Sequence, residues 1–148
     1  MPEIRQAQEN DVALILDFIK GIADYEKLLH EVKATPELLK EWIFERKAAE
    51  VAFVMDKGKE VGFVLYFHNF STFVGKSGMY IEDLFVYPEY RGKGYGKALF
   101  NYVVNKAKKE GLGRVEWTCL KWNTPSIEFY KSMGARPMEE WINFRLTL

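Results

Sequence analysis

The sequence predicts a single α/β domain with a mixed sheet, and three observations support that prediction. The chain has 148 residues, of which 48% are hydrophobic and 28% charged, enough to bury one sound core. Apolar runs typical of strands alternate with amphipathic stretches of helical period. No linker, repeat or low-complexity tract interrupts the pattern, so we expect one domain over residues 1–148.

The first half of the chain predicts a short strand, two helices and a β-hairpin. Asn10 or Asp11 is a suitable cap for the first helix, and Thr35 caps the second with Pro36 at its first position. The tight turn Lys57-Gly58-Lys59 closes the hairpin. The predicted strands are Ile4–Ala7, Val51–Asp56 and Glu60–Phe70, and the apolar helix faces are Ile15, Phe18, Ile19 and Ile22, then Leu38, Leu39, Trp42 and Ile43.

The second half predicts a buried central strand, two helices and two further strands. Met79–Tyr87 is nearly continuous in apolar residues and ends at Pro88, as expected of a strand buried on both faces. A helix of about four turns then runs to Glu110. Its predicted inward residues are Leu99, Tyr102, Val103 and Ala107; the remaining elements are the strands Val115–Leu120 and Trp141–Leu148 and the helix Pro125–Met133.

Composition excludes several classes of function. Lys and Arg number 21 and Asp and Glu also 21, giving a net charge of zero, which argues against nucleic-acid binding. Cys119 is the single cysteine, so no internal disulfide forms and a reducing compartment is expected. No apolar run approaches the roughly 20 residues of a membrane span, and the polar start has no signal-peptide core. We therefore expect a cytoplasmic protein without a metal site.

The segment YRGKGYGKAL, residues 90–99, has the composition of a phosphate-binding loop. It fails the dinucleotide fingerprint G-x-G-x-x-G and the P-loop pattern, but it fits R-x-x-G-x-G from Arg91 to Gly96. The loop precedes a helix, whose first amides lack internal partners and favour an anion. Glycines let a pyrophosphate approach those amides, and Arg91, Lys93 and Lys97 add charge. A ligand-free strand-to-helix turn is the alternative.

Two further features indicate chemistry. Glu82 and Asp83 interrupt the apolar run MYIEDLFVY, and a buried carboxylate is costly unless it is paired or used. Since adjacent strand residues face opposite ways, only one of the two is expected to face a given pocket. Tyr130 lies on the predicted helix after Asn123. The alternatives are strand-edge carboxylates paired with Lys or Arg, and a tyrosine in the core.

Together these segments carry a family resemblance. IEDLFVYPEYRGKGYGKAL and WNTPSIEFYKSMGA resemble the GNAT superfamily of acetyl-CoA-dependent N-acetyltransferases, in particular the diamine (spermidine/spermine) and thialysine N-acetyltransferases. The similarity extends to Tyr25-Glu26, the GFVLYF strand and EEW near the end. It implies a mostly antiparallel sheet, flanked by helices, in which two parallel strands splay apart to admit the cofactor. Those strands are Met79–Tyr87 and Val115–Leu120.

The resemblance also implies roles for individual residues. Tyr130 corresponds to the general acid, and Glu82 to the carboxylate that takes up the amine proton directly or through water. Acetyl-CoA would be the cofactor, and the acceptor a small molecule with a primary amine. The implied cofactor contacts are Leu84, Phe85, Val86, Arg91, Gly92, Lys93, Gly94, Tyr95, Gly96, Lys97, Asn123 and Ser126; the implied acceptor contacts are Tyr25, Glu26, Glu82, Glu116 and Glu140.

This chemistry suits the residue types. A lysine-like or polyamine nitrogen is mostly protonated near neutral pH, so it must lose a proton before it attacks a thioester. A carboxylate that binds the ammonium and then accepts its proton meets both needs. A protein or peptide acceptor and a non-catalytic acyl-CoA-binding module remain alternative functions.

Two more expectations concern the acceptor and the assembly. Ser71 stands near the position where the polyamine enzymes carry an acidic loop residue. One carboxylate fewer favours a shorter diamine or a lysine analogue over a long polyamine.

The alternating segment WINFRLTL suits the edge of a partner's sheet, so we expect a homodimer.

Overall fold

The structure is a computed structural model that describes residues 2–148. Within that range the chain forms five strands and four α-helices. In chain order the elements are β1 (Glu3–Gln6), α1 (Val12–Tyr25), α2 (Pro36–Leu39), β2 (Glu50–Asp56), β3 (Lys59–Ser71), β4 (Lys76–Val86), α3 (Tyr95–Lys109), β5 (Val115–Trp117) and α4 (Thr124–Ser132).

The strands form one mixed sheet in the order β1-β2-β3-β4-β5. Neighbours are antiparallel except β4 and β5, which are parallel and are connected through α3. The predicted α/β class and mostly antiparallel sheet are therefore confirmed. The hairpin between β2 and β3 turns at Lys57 and Gly58, both of which have positive φ angles, as a two-residue turn requires.

Side chains alternate between two faces of the sheet and build a core on each. On one face the ring of Phe18 from α1 stacks on Phe63, with ring centroids 5.2 Å apart, and lies 5.7 Å from Phe53. On the other face α3 packs against β2, β3 and β4, where the Tyr102 ring lies 6.4 Å from that of Tyr66. The sheet thus lies between two helical layers.

The second predicted helix begins as expected but continues differently. Thr35 caps it, since its Oγ1 accepts a hydrogen bond from the amide of Leu38 at 3.2 Å, and Pro36 occupies the first turn. From Lys40 to Glu45 the backbone is a π-helix. Because the wider turn changes which side chains share a face, Leu38 and Trp42 are exposed, contrary to prediction, whereas Ile43 is buried.

Two predicted strands differ from the structure near the end of the chain. β5 stops at Trp117, three residues before the predicted end at Leu120. The predicted strand Trp141–Leu148 is wrong, because these residues carry no regular secondary structure and are exposed. Alternation of apolar and polar residues predicts a strand only where a neighbouring strand supplies hydrogen bonds, and within residues 2–148 none pairs with this segment.

The chain divides into two compact units, one ending at Trp117 and one comprising Thr118–Leu148. The first contains the whole sheet with α1, α2 and α3, and the second contains α4. Among the helices that the structure describes, none is long and apolar enough to cross a membrane.

Candidate active site

A β-bulge in β4 determines where the two carboxylates of this strand lie. Leu65 of β3 pairs with Asp83, but the next residue, Tyr66, pairs with Ile81, so Glu82 is an extra residue in β4. A bulge interrupts strict alternation and turns side chains toward new directions. Asp83 thereby lies opposite Leu65, which packs in the core on the α1 side.

Glu26, Glu82 and Asp83, hereafter the acidic group, interact electrostatically. Burial, together with the charges of Glu82 and Glu26, raises the pKa of Asp83 from 3.8 to about 7. Burial and the charge of Glu82 also raise the pKa of Glu26. Glu82 is exposed and Asp83 is partly buried, and charges act on each other over several ångströms. That only one of the two faces a given pocket therefore stays a prediction.

The acidic group has no cationic partner of its own. Within residues 2–148 no basic side chain forms an ion pair with any of its three carboxylates. Several carboxylates elsewhere in the first unit are paired, as Asp11 is with Arg5 at 2.8 Å, whereas others, such as Asp17 and Asp24, form no ion pair among the described residues. Carboxylates that raise one another's pKa gain most when a cation joins them, so this group is suited to bind an ammonium ion.

The glycine loop presents a run of free backbone donors. Arg91 N donates to Pro88 O at 3.2 Å, and Ala98 N donates to Gly94 O at 3.0 Å. Between them, the amides from Gly92 to Lys97 donate no hydrogen bond to any of the residues that the structure describes. Gly92 and Gly94 have φ angles of 76° and 87°, in the left-handed region that favours glycine.

These amides lie at the N-terminus of α3, a helix of 15 residues. Donors without acceptors, a favourable helix dipole and the exposed lysines Lys93 and Lys97 fit a pyrophosphate. An open cavity of about 420 Å³ beside the loop fits an anion less well, because Glu3 and Asp56 line it together with Lys57 and Lys93. In the same region a hydrogen bond to Asp56 raises the pKa of Tyr95.

The backbone of β4 provides a second set of groups that no neighbouring strand pairs with, although Arg91 donates to the carbonyl oxygen of Val86. β5 pairs with β4 only at Met79, Tyr80 and Ile81. From Glu82 to Val86, β4 pairs with β3 on one side, and within residues 2–148 no strand pairs with it on the other. This section includes Leu84, Phe85 and Val86, where the resemblance implies contact with the amide-containing arm of the cofactor. An extended arm of that kind can use a free strand edge.

Three of the other predicted site residues in the first unit take part in contacts within the protein. The Nε of Arg91 donates a hydrogen bond to the carbonyl oxygen of Val86 at 2.9 Å. Glu116 on β5 pairs with Arg114 at 3.2 Å and accepts from Asn69 at 3.4 Å. Ser71 is buried, and its Oγ accepts from the amide of Val74 at 3.2 Å. Ser71 thus shapes the turn after β3.

The second unit contains four predicted site residues. Asn123 is buried and caps α4, since its Oδ1 accepts from the amide of Ser126 at 3.4 Å. Tyr130 lies on α4 and is partly buried, with its ring 5.5 Å from that of Phe129. Glu140 is exposed in a turn after α4. Cys119 is partly buried in the same unit.

Asp83 is a further candidate for the site, to which the sequence analysis assigned only its neighbour Glu82. The signal was present, because two adjacent acids interrupt an apolar run. In a regular strand adjacent side chains point to opposite faces, and nothing in the residue pattern indicates that β4 contains an extra residue. The bulge becomes visible only in the pairing of β3 with β4.

Comparison of the sequence with known proteins assigns the chain to a family. The profile of the Acetyltransferase (GNAT) family matches residues 17–135. A thialysine N-epsilon-acetyltransferase of Sus scrofa is 35% identical over 96% of this chain and 90% of its own length. The L-ornithine N5-acetyltransferase NATA1 of Arabidopsis thaliana is 48% identical over 64% of this chain, which spans 43% of that protein.

Solved structures agree on the fold. An integron cassette protein from the mobile metagenome of V. cholerae superposes with a TM-score of 0.80 at 27% identity, covering 99% of this chain and 92% of its own. A metagenomic aminoglycoside acetyltransferase reaches a TM-score of 0.83 at 21% identity, covering 99% and 96%, and supports the fold alone. The family match covers most of the chain, and a relative named as an N-acetyltransferase aligns along nearly all of it. The chain belongs to the Acetyltransferase (GNAT) family and is an acetyltransferase.

Proposed function

We propose that this protein transfers an acetyl group from acetyl-CoA to a primary amine of a small cationic acceptor, such as a short diamine or a lysine analogue. The observation that carries the proposal is the acidic group: burial and the neighbouring carboxylates raise the pKa of Asp83 and of Glu26, and within residues 2–148 no basic side chain pairs with the group. An acceptor that carries ammonium groups relieves this repulsion when it binds.

The cofactor proposal draws support from the free donors of the glycine loop and the free edge of β4. The amides of Gly92–Lys97 would hold the pyrophosphate, and the backbone of Leu84–Val86 would bind the pantetheine arm. Asn123 and Ser126 are proposed to contact coenzyme A as well. When bound, acetyl-CoA supplies the acetyl group as a thioester that an unprotonated amine can attack.

The proposed catalytic roles belong to Glu82 and Tyr130. The Glu82 carboxylate binds the acceptor ammonium and takes up its proton, directly or through water, so that the nitrogen can form the new C–N bond. The Tyr130 hydroxyl provides a proton to the departing sulfur. Tyr25 and Glu26 orient the acceptor. Glu116 and Glu140 have weaker support, because Glu116 is paired with Arg114 and Glu140 is exposed.

The nature of the relatives favours short acceptors. The relatives from Sus scrofa and Mus musculus, which match over 96% of this chain, are named for thialysine, and the Arabidopsis protein is named for ornithine. Ser71 is uncharged and buried at the turn after β3, so the turn offers no extra carboxylate there for the far end of a long polyamine.

An acceptor panel tests this function. Thiol release from acetyl-CoA is measured as kcat/KM with thialysine, ornithine, a short diamine, spermidine and a lysine-containing peptide. We expect the small amines to exceed the peptide by at least tenfold. A preference for the peptide would favour the protein-acceptor alternative, and tight coenzyme A binding without turnover would favour the acyl-CoA-binding module.

The role of Tyr130 has its own test. Tyr130→Phe removes only the hydroxyl, so we expect kcat to fall at least tenfold while the Kd for coenzyme A changes less than twofold. Full activity of this variant across a range of pH would show that Tyr130 is not the acid.

We also propose a homodimer that uses residues 141–148. Ile142, Phe144 and Leu146 are 77%, 94% and 86% exposed and alternate with polar residues. Such a segment buries one side when it adds to a sheet edge, and a second copy of the chain provides that edge. Light scattering should give the mass of a dimer for the wild type and of a monomer for the Phe144→Glu, Leu146→Glu variant. A wild-type monomer at high micromolar concentration would contradict the proposal.

A further inference from the structure

The side chain of Arg91 joins two elements that carry different parts of the acidic group. Its Nε donates to the carbonyl oxygen of Val86, at the end of β4, at 2.9 Å. Its guanidinium carbon lies 4.6 Å from the ring centroid of Tyr25, the last residue of α1, and 5.4 Å from that of Phe85. One side chain therefore contacts both the end of α1 and the end of β4.

These two ends hold the carboxylates of the acidic group. Glu26 directly follows Tyr25 on the α1 side, whereas Glu82 and Asp83 precede Phe85 on β4. The distance between the carboxylates from the two elements therefore depends on how α1 is held against β4. A planar guanidinium that hydrogen-bonds one element and stacks on an aromatic ring of the other is well suited to fix that distance.

A second contact supports the same conclusion independently. Gly21 of α1 lies so close to β4 that an added Cβ would be 2.9 Å from Cε2 of Phe85 and 3.5 Å from Cε1 of Tyr87. The φ angle of Gly21 is not in the left-handed region, so glycine is required here for close approach rather than for backbone conformation. α1 and β4 thus approach closely just before the Arg91 contact.

The contacts of Arg91 show that its side chain packs within the protein and is not a counter-ion to a carboxylate. Its Nε is occupied by Val86, and its planar face lies over two rings. Within residues 2–148 it forms no ion pair with a carboxylate. Phosphate donors are already present in the backbone amides that follow it.

We propose that Arg91 is a positioning residue for the acceptor: it clamps the end of α1 to the end of β4 and so sets the spacing between Glu26 and the Glu82–Asp83 pair. This inference rests on the proposed function. It assigns the side chain of Arg91 to amine recognition and leaves pyrophosphate binding to the backbone of the loop.

Arg91→Lys tests the proposal, because lysine keeps the charge but loses both the Nε donor and the planar stack. At saturating acetyl-CoA we expect kcat/KM for the preferred amine to fall at least tenfold, mainly through KM. The Kd for coenzyme A should change less than twofold. The matched control is Arg46→Lys, which disrupts a similar stack, with the guanidinium 4.4 Å from the Trp42 ring, and should leave both quantities unchanged.

Two further variants separate positioning from general loss of structure. Gly21→Ala should reproduce the rise in amine KM, because its methyl group pushes α1 away from Phe85. In a double-mutant cycle, Arg91→Lys should have less effect on amine kcat/KM in a Tyr25→Leu background than in the wild type, since it acts through the Tyr25 contact. Additive effects in the cycle would overturn the proposal.

The outcomes also distinguish this inference from the proposed function. If wild type acetylates amines but Arg91→Lys changes only the Kd for coenzyme A, Arg91 is a phosphate ligand and this inference alone fails. If wild type acetylates no small amine in the panel, the proposed function fails and the inference falls with it.

Discussion

The glycine loop and the acidic group lie at the same end of β4 but are built in opposite ways. The loop offers its backbone: its free donors are main-chain amides, and its shape depends on the positive φ angles of Gly92 and Gly94. The acidic group offers side chains that three-dimensional packing brings together, from the end of α1 and from a bulge in β4. Substitutions should therefore damage the two regions by different routes.

This difference between backbone and side-chain groups explains why the glycine loop can be recognised as a sequence motif and the acidic group cannot. A backbone site needs particular residue types at fixed spacing, because left-handed φ angles and close approach favour glycine. A side-chain site needs only that carboxylates meet, and they meet here from positions far apart in the sequence. The loop should thus fail through conformation, and the acidic group through charge.

The largest effect is expected for Glu82→Gln, which removes the proposed proton acceptor and keeps the size of the side chain. General base catalysis contributes about 10²–10⁴-fold, so we expect kcat for the amine to fall at least 100-fold with the Kd for coenzyme A unchanged. Steady-state kinetics and calorimetry measure the two quantities.

A matched carboxylate away from the site serves as the control. Glu110 pairs with His68 at 2.8 Å, and Glu110→Gln should leave kcat within twofold. If Glu82→Gln retained most of the activity, the acidic group would bind the acceptor without taking its proton.

Asp83→Asn should alter the pH dependence of stability by up to about 4 kcal/mol, at about 1.4 kcal/mol per pKa unit. In the folded chain burial raises the pKa of Asp83 to about 7, against 3.8 ordinarily. The folded state therefore binds more protons between these values, and the free energy of unfolding falls as pH rises from about 4 to about 7. Asp83→Asn should flatten this fall in denaturant titrations between pH 4 and pH 8.

Asp11 provides a control of opposite sign. The hydrogen bond from Arg5 lowers the pKa of Asp11, so its contribution to stability is present above the ordinary pKa and is lost as pH falls through the lowered value. Asp11→Asn should therefore destabilise the chain at neutral pH.

If the free energy of unfolding depended on pH in the same way for wild type and Asp83→Asn, Asp83 would not be buried beside other charges.

The smallest of these effects distinguishes two glycines in the loop. Gly94 has a φ of 87°, so Gly94→Ala should cost about 1–2 kcal/mol in the free energy of unfolding and weaken coenzyme A binding. Gly96 lies within α3, and an added Cβ there would meet Val86 Cγ2 at 3.9 Å, an ordinary contact. Gly96→Ala should therefore leave stability unchanged or raise it slightly. If thermal unfolding showed equal losses of stability for Gly94→Ala and Gly96→Ala, the positive φ angle of Gly94 would not be the reason that glycine is required there.

Much of the fold follows from local pattern in the sequence. The hairpin at Lys57-Gly58, the Thr35 cap and the helix after the glycine loop are confirmed because turn and cap residues act locally. The predicted strand at 141–148 is wrong because alternation needs a partner strand, and the π-helix of 40–45 escaped prediction because no simple residue signal marks it.

The candidate site was predictable in its parts rather than in its arrangement. The resemblance predicts that Glu26 and Glu82 share one pocket; in the structure burial raises the pKa of Glu26, and the charge of Glu82 adds to the rise. Charge, motif and resemblance together predict that Arg91 contacts the cofactor, but none of them predicts that its guanidinium lies over the Tyr25 ring. Side-chain direction depends on the packing between elements, which residue spacing does not encode.

The bulge at Glu82 means that the length of β4, as well as its composition, specifies the site. Deleting Glu82 would let Ile81 and Asp83 become neighbours in a regular ladder opposite Tyr66 and Leu65, with every other residue of the strand still in place. Such a chain would keep its sheet while losing the bulge and one of the three carboxylates of the acidic group. Relatives that differ by one residue in this strand are therefore expected to differ in acceptor even where their glycine loops are identical.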